Sequence, residues 1–129
     1  MPNFDAIATV VEDMGRTLGF YRLLGLQIPE EADDEGYVMI DLGTGVRFAW
    51  NTEIVERSFN PAWQAPPIAG RMGVTFRCES AAEVDAIYLA VVRTGHEGPL
   101  EPFDSPWGSR HCRVLDPDGN AIDLFAPLP

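Results

Sequence analysis

Two stretches of the chain share one pattern of apolar and polar positions. In each, a strand-like apolar run is followed by a polar pair and then by apolar positions at helical spacing. Glu12 and Glu79 precede the two helical stretches and Tyr21 and Tyr88 lie within them, and both pairs are 67 residues apart (79 − 12 and 88 − 21). Shared residue types at a constant offset predict two copies of one structural module.

Each helical stretch has its own start and stop signals. The first helix is predicted to begin after Asp13, whose carboxylate can accept hydrogen bonds from the free amides of the first turn. The second is predicted to begin at Ser80, because Ser80 and Glu83 have the spacing of a capping box. Gly25 and Gly95 follow the last helical positions and are predicted to end the helices in the left-handed conformation.

Strand-like runs follow both predicted helices. They cover residues 37–42 and 46–50 in the first half, and 110–115 and 121–125 in the second half. Within these runs, apolar and polar residues alternate or the residues are mostly apolar. Glycine-rich or proline-containing turn sequences separate the runs, as is typical of antiparallel strands.

The segment 61–70 separates the two copies. It is too rich in proline for a helix or a central strand, so we predict a linker there. The predicted fold is α+β, with a first βαβββ module at 4–60 and a second at 71–129. Both modules are too small to bury their apolar faces alone, so the chain is predicted to pack as a single domain.

The charge of the chain argues against several kinds of partner. The formal net charge is −11 and the pI is about 4.4. Neutralising phosphates takes lysine and arginine, so nucleic acid and anionic membrane surfaces are not expected as partners. No segment approaches the length of a membrane span, and the N-terminus has no basic and apolar export signal. We expect a cytoplasmic protein with Cys78 and Cys112 as buried, reduced thiols.

Several short motifs resemble the vicinal-oxygen-chelate superfamily, which includes glyoxalases, bleomycin-resistance proteins and dioxygenases. They are Val11-Glu12-Asp13, Phe20-Tyr21-Arg22, Pro106-Trp107-Gly108 and Asp116-Pro117-Asp118-Gly119-Asn120. The motifs span nearly the whole chain and follow the order and the spacing of the repeat. The resemblance implies two βαβββ modules whose curled mixed sheets surround a cleft.

A narrower resemblance is to the mitomycin-binding resistance proteins of antibiotic producers. It is carried by residues 28–33, 63–66, 107–110 and 123–129. Those proteins are homodimers that protect the cell by sequestering a DNA-damaging drug. The resemblance therefore implies a homodimer, with the modules paired within one chain or swapped between two chains.

Metal-dependent members of the superfamily bind their ion through the first and last strands of each module. The resemblance places these positions at Ala6, Ala49, Gly73 and Asp123. Alanine and glycine have no ligand atom, and one carboxylate does not make a metal site. We therefore predict no metal ligand and no cofactor, and we assign no catalytic residue.

His111 and Cys112 are neighbours that invite a catalytic interpretation. Successive side chains of a strand point to opposite faces, so the two cannot serve one site. His111 is instead predicted to be a partly buried histidine with one hydrogen bond.

The candidate ligand-binding residues are mainly aromatic. They are Trp107, Asp123, Trp50, Trp63, Arg110, Tyr37, Phe103 and Phe59. Aromatic rings can stack on a flat ligand, and Asp123 can accept a hydrogen bond from a ligand amine or carbamate. The alternatives are that Trp50 fills the sheet core, that Trp63 seals the linker, and that Asp123 pairs with Arg110 or Arg47.

Three functions are compatible with these features. The first is a non-enzymatic binding protein that sequesters a small, flat aromatic or quinone-like antibiotic in a metal-free cleft and so gives drug resistance. The second is an enzyme, either a metal-dependent lyase or dioxygenase with unusual ligands or a metal-free isomerase with Asp123 as base. The third is a role in natural-product biosynthesis. The sequence favours the first, because no activated nucleophile or acid–base pair is visible.

Overall fold

The fold consists of alternating strands and helices in two compact units. A computed structural model describes residues 1–66 and 71–129, so residues 67–70 of the predicted linker lie outside the described residues. The elements are β1 (Ala6–Val11), α1 (Met14–Leu23), a 3-10 helix (Glu30–Asp34), β2 (Tyr37–Asp41), β3 (Arg47–Thr52), α2 (Glu53–Phe59), β4 (Gly73–Arg77), α3 (Ala81–Arg93), β5 (Leu100–Asp104), β6 (Ser109–Leu115) and β7 (Ala121–Pro127). The predicted α+β class is confirmed.

The two units are not simply the two halves of the chain. One comprises Met1–Gly19 with Gln27–Ala65, and the other comprises Phe20–Leu26 with Pro66–Pro129. The end of α1 therefore belongs to the second unit. Among the described residues, no helix combines the length and the apolar character needed to cross a bilayer.

The first unit has a three-stranded sheet in the order β1-β3-β2. Strands β1 and β3 are parallel, and β2 and β3 are antiparallel. This unit has two strands after α1 where the predicted module has three. The 3-10 helix Glu30–Asp34 lies in the connection instead, because that acidic segment follows Pro29 and has no alternating apolar positions to bury in a sheet.

The second unit has the full βαβββ order and a four-stranded sheet, β4-β7-β6-β5. Strands β4 and β7 are parallel, and the other two pairs are antiparallel. Strand β5 was not among the predicted strands. It contains Pro102 and a register shift between Leu100 and Phe103, which an edge strand tolerates.

The predicted helix boundaries are confirmed by their capping geometry. The Asp13 carboxylate accepts from the Arg16 amide at 3.1 Å. The Ser80 hydroxyl accepts from the Glu83 amide at 3.1 Å. Gly25 and Gly95 have φ of 97° and 98°, a region that L side chains rarely adopt.

The sheet of the second unit has two chemically different faces. Arg110 of β6 reaches Asp85 on α3, so Arg110 and the fully buried Cys112 point toward that helix. Their neighbours point the other way, because side chains alternate along a strand. The register adds residues of β5 and β7 to this second face. We call it the His111 face. Phe103, His111, Arg113 and Asp123 lie on it, together with Thr75 and Phe125, which the register places opposite Asp123 and His111.

Candidate functional site

The strand register shows which positions of the two units correspond. Ala8 of β1 pairs with Ala49 of β3, and Thr75 of β4 pairs with Asp123 of β7. Thr75 and Ala8 are 67 residues apart (75 − 8), the offset of the sequence repeat. Ala49 therefore occupies in β3 the place that Asp123 occupies in β7, as the resemblance to the superfamily implies.

Asp123 lies at the centre of a polar cluster on the His111 face. Its Oδ1 accepts from Arg113 Nε at 2.6 Å, and its Oδ2 accepts from Arg113 Nη2 at 3.1 Å. Nε2 of His111 is also 3.1 Å from Oδ2. The Asp123 side chain is 16% exposed and that of Arg113 is 42% exposed. Both carboxylate oxygens are thus engaged by neighbouring side chains.

The cluster keeps the carboxylate ionised. Burial raises the pKa of Asp123, but the hydrogen bonds from Arg113 and His111 lower it more, and the net pKa lies below its ordinary value. The same hydrogen bond to Asp123 raises the pKa of Arg113. A carboxylate with a depressed pKa is a weak general base.

The residues at the four family positions do not fit a metal ion. Ala6 and Ala49 in the first unit and Gly73 in the second carry no ligand atom, and Asp123 is already held by a guanidinium and an imidazole. Across the part of the chain that the structure describes, no group of three or more His, Cys, Asp or Glu side chains is arranged to hold a metal.

Two aromatic rings flank the cluster. The ring of Phe103 lies 5.7 Å from that of His111, and the indole of Trp107 lies 6.1 Å from it at 80°. Trp107 is 69% exposed, in a turn where Gly108 has φ of 90°. The structure thus brings Phe103, Trp107 and Asp123, three of the predicted ligand-binding residues, around a common neighbour.

That common neighbour, His111, was not among the predicted ligand-binding residues. The prediction of a partly buried histidine with one hydrogen bond is confirmed, and its separation from Cys112 by strand alternation is confirmed as well. The sequence contained one usable signal. His111 and Arg113 are two apart on a predicted strand and therefore share a face. Their pairing with Asp123 depends on the register of β6 against β7, and this register cannot be read from the sequence.

Arg110 lies away from this cluster. It forms a salt bridge with Asp85 on the helix side of the sheet. The alternative prediction that Asp123 pairs with Arg110 or Arg47 is therefore wrong, since Arg47 pairs with Asp5 in the first unit. The reason is register, because Arg110 lies one position from His111 on β6 and so points to the opposite face.

The remaining candidates lie in the first unit. Trp50 is fully buried and stacks on Phe48 with ring centroids 4.6 Å apart, so it fills the core and offers no ring face to a ligand. Trp63 packs under the guanidinium of Arg57, which lies 5.3 Å from the ring centroid. Tyr37, at the start of β2, and Phe59, at the end of α2, are exposed.

A family model and several solved structures match the chain. The model of the glyoxalase/bleomycin resistance protein/dioxygenase superfamily matches residues 3–124. A comparison with proteins of curated function finds no match.

The similar structures share the fold over almost the full length. A glyoxalase/bleomycin resistance protein/dioxygenase family enzyme from Burkholderia phytofirmans PsJN has a TM-score of 0.81 at 16% identity, over 96% of this chain and 98% of that one. A protein of unknown function from Agrobacterium tumefaciens str. C58 has a TM-score of 0.75 at 28% identity, over 99% and 96%. A glyoxalase/bleomycin resistance protein/dioxygenase from Nocardioides has a TM-score of 0.68 at 25% identity, over 99% and 85%.

Proposed function

Since the chain belongs to the glyoxalase/bleomycin resistance protein/dioxygenase superfamily, we propose that it binds and sequesters a small, flat aromatic or quinone-like antibiotic that targets DNA. Binding is stoichiometric, needs no metal, and gives resistance by keeping the drug from its target. The proposal includes a homodimer as the working form. The observation that carries it is the arrangement of Phe103 and Trp107 around the cluster of His111, Arg113 and Asp123.

The aromatic part of the site suits a flat ligand. Trp107 is a large apolar side chain held out into solvent by a turn, where it contributes little to the core. Stacking of a ligand ring on such a side chain contributes about 0.5–1.5 kcal/mol beyond the burial of its area. The ring of Phe103 is partly exposed beside the same histidine. A planar ligand lying here would cover apolar surface that the folded chain leaves open.

The polar part of the site suits a ligand without net negative charge. The charges of Arg113 and Asp123 cancel within the cluster, so the site offers hydrogen bonds without a free counter-charge for an anion. The net charge of −11 on the chain adds a long-range field that repels anions. Neutral or weakly basic drugs therefore fit better than carboxylates or phosphates.

Thermal unfolding with a panel of drugs and metals tests the proposal. A ligand that binds only the folded chain raises the melting temperature, by an amount that corresponds to about 2.7 kcal/mol at a hundred times its Kd. We expect a rise with at least one of the mitomycin-, bleomycin- or quinoxaline-type drugs, and none with nickel, zinc or iron(II).

Two variants localise the effect in the same experiment. Trp107→Ala should lose most of the drug-induced rise. Leu89→Ala should keep it, because Leu89 is a 45% exposed apolar residue on α3, on the other side of the same sheet. A rise with a divalent metal that Asp123→Ala abolishes would overturn the proposal in favour of a metalloenzyme.

A metal-free isomerase is the second candidate function. The observation that favours it is the hydrogen bond between His111 and Asp123, since a carboxylate that orients an imidazole is a common arrangement for a general base. The base would be His111, because the lowered pKa of Asp123 makes that residue unsuitable. Mass spectrometry and chromatography of the ligand recovered after long incubation separate the two functions: an unchanged ligand supports sequestration, and an isomer of the same mass supports the enzyme.

A further inference from the structure

One nitrogen of His111 and one of Arg113 have no hydrogen-bond partner among residues 1–66 and 71–129. The imidazole of His111 uses Nε2 toward Asp123, and its Nδ1 makes no hydrogen bond. The guanidinium of Arg113 uses Nε and Nη2 toward the same carboxylate, and its Nη1 makes none. Both side chains are less than half exposed, so these atoms are positioned by the cluster.

The ionised carboxylate fixes which of these atoms donates. An ionised Asp123 can only accept, so Nε2 of His111 carries the hydrogen and donates it. In a neutral imidazole the other nitrogen, Nδ1, then holds the lone pair and accepts. Arginine stays protonated, so Nη1 of Arg113 donates. With a neutral imidazole, His111 thus offers an acceptor at Nδ1, and Arg113 offers a donor at Nη1.

These two atoms belong to His111 and Arg113, which share one face of β6, and both aromatic rings lie beside His111. His111 and Arg113 are two positions apart on the strand, and Phe103 and Trp107 contact the imidazole. We infer that the ligand is a flat ring system that carries an N–H or O–H donor beside a carbonyl oxygen, as in an aminoquinone, a hydroxyquinone or an aromatic amide. The donor binds Nδ1 of His111, and the carbonyl accepts from Nη1 of Arg113.

This inference rests on the proposed function and narrows its ligand. A quinone with carbonyls but no donor would cover Nδ1 of His111 without satisfying it, and a buried polar atom left without a partner weakens binding. A site that provides a hydrogen bond discriminates strongly against analogues that cannot form it. Nδ1 of His111 and Nη1 of Arg113 thus favour flat drugs with a matching donor and carbonyl, whereas the aromatic rings alone would bind all flat drugs with similar affinity.

Calorimetric titration with two naphthoquinones tests the inference. The probes are 2-amino-1,4-naphthoquinone and 2-methyl-1,4-naphthoquinone, which have nearly the same shape and differ in the donor. We expect the amino compound to bind about tenfold more tightly, the effect of one hydrogen bond at a partly buried site. In His111→Phe, which keeps a ring against Phe103 and Trp107, the two compounds should bind equally.

A measurement on the wild-type chain avoids reliance on the folding of a variant. With ¹⁵N-labelled histidine, the Nδ1 resonance of His111 should shift on addition of the amino compound and stay in place with the methyl compound. His96, the other histidine, is the internal control and should not respond.

The possible failures point to different conclusions. Equal affinity of the two compounds for the wild-type chain, with no change at Nδ1, would overturn the inference and leave the proposed function standing. No binding of either compound, nor of any drug in the thermal panel, would overturn both.

Discussion

Asp123 lies at a position associated with metal binding in the superfamily, but its side chain here binds two other side chains of the protein. It occupies the position at which metal-dependent members of the superfamily are expected to have a ligand, and its partner position in the first unit is Ala49. In this chain Arg113 and His111 take both of its oxygens. The carboxylate therefore holds His111 and Arg113 in place, and the positive charge beside it comes from the guanidinium of Arg113.

The acid dependence of stability tests this role of Asp123. Its folded-state pKa lies below the ordinary value of 3.8, so its stabilising contribution is complete above that pH and is lost as the pH falls through the lower, folded value. Asp123→Asn should lower the free energy of unfolding by about 1–2 kcal/mol at neutral pH, a figure reduced for the exposure of Arg113. The difference from the wild-type chain should shrink toward zero in strong acid.

Denaturant unfolding at several pH values measures the effect. Asp5→Asn is the matched control, because Asp5 also pairs with an arginine but is mostly exposed, so its loss should change stability much less than the loss of Asp123. An Asp123→Asn difference that stays the same from neutral to strongly acid pH would contradict the assigned ion pair.

At the scale of elements, the sequence predicted best what depends on local chemistry. Asp13 and Ser80 cap the helices as predicted, since a cap is decided within one turn. The third strand of the first module was predicted from the repeat, and a 3-10 helix of acidic residues is found there instead. Strand β5 was missed, because Pro102 and a bulge interrupt the alternation that identifies a strand. An edge strand with few apolar positions lacks the alternating pattern from which strands are predicted.

Strand β6 allows a test of the two faces of its sheet. Burial raises the pKa of the Cys112 thiol to about 12, with further contributions from the charges of Cys78 and Asp123. Burial likewise raises the pKa of Cys78 to about 11, together with Glu83. Both thiols should therefore stay protonated and resist alkylation in the folded chain at pH values near 8.

Iodoacetamide labelling followed by mass spectrometry checks this expectation. We expect almost no modification of the folded chain within the time in which the urea-unfolded chain takes up two labels. Rapid labelling of Cys112 in the folded chain would mean that this residue faces solvent, and that the assignment of the two faces of β6 is reversed.

For the whole molecule, the fold was more accessible from the sequence than the site. The fold class and the repeat follow from patterns that extend over many residues. The offset of 67 residues also appears in the strand register, where Ala8 pairs with Ala49 and Thr75 pairs with Asp123. The site depends on which residues of β5, β6 and β7 lie side by side. Phe103 and Trp107 could be proposed as aromatic residues and Asp123 from its position in the superfamily pattern, whereas His111 and Arg113 required the register. Trp50 could not be placed without the packing of the sheet.

This member of the superfamily is proposed to bind a flat drug without a metal. Calorimetric titration of mitomycin C into the chain, with and without EDTA and again with added nickel, tests it most directly. We predict saturable binding of one drug molecule per chain with the same Kd in all three conditions, and about tenfold or greater weakening in Trp107→Ala. Binding that EDTA abolishes and nickel restores would contradict it.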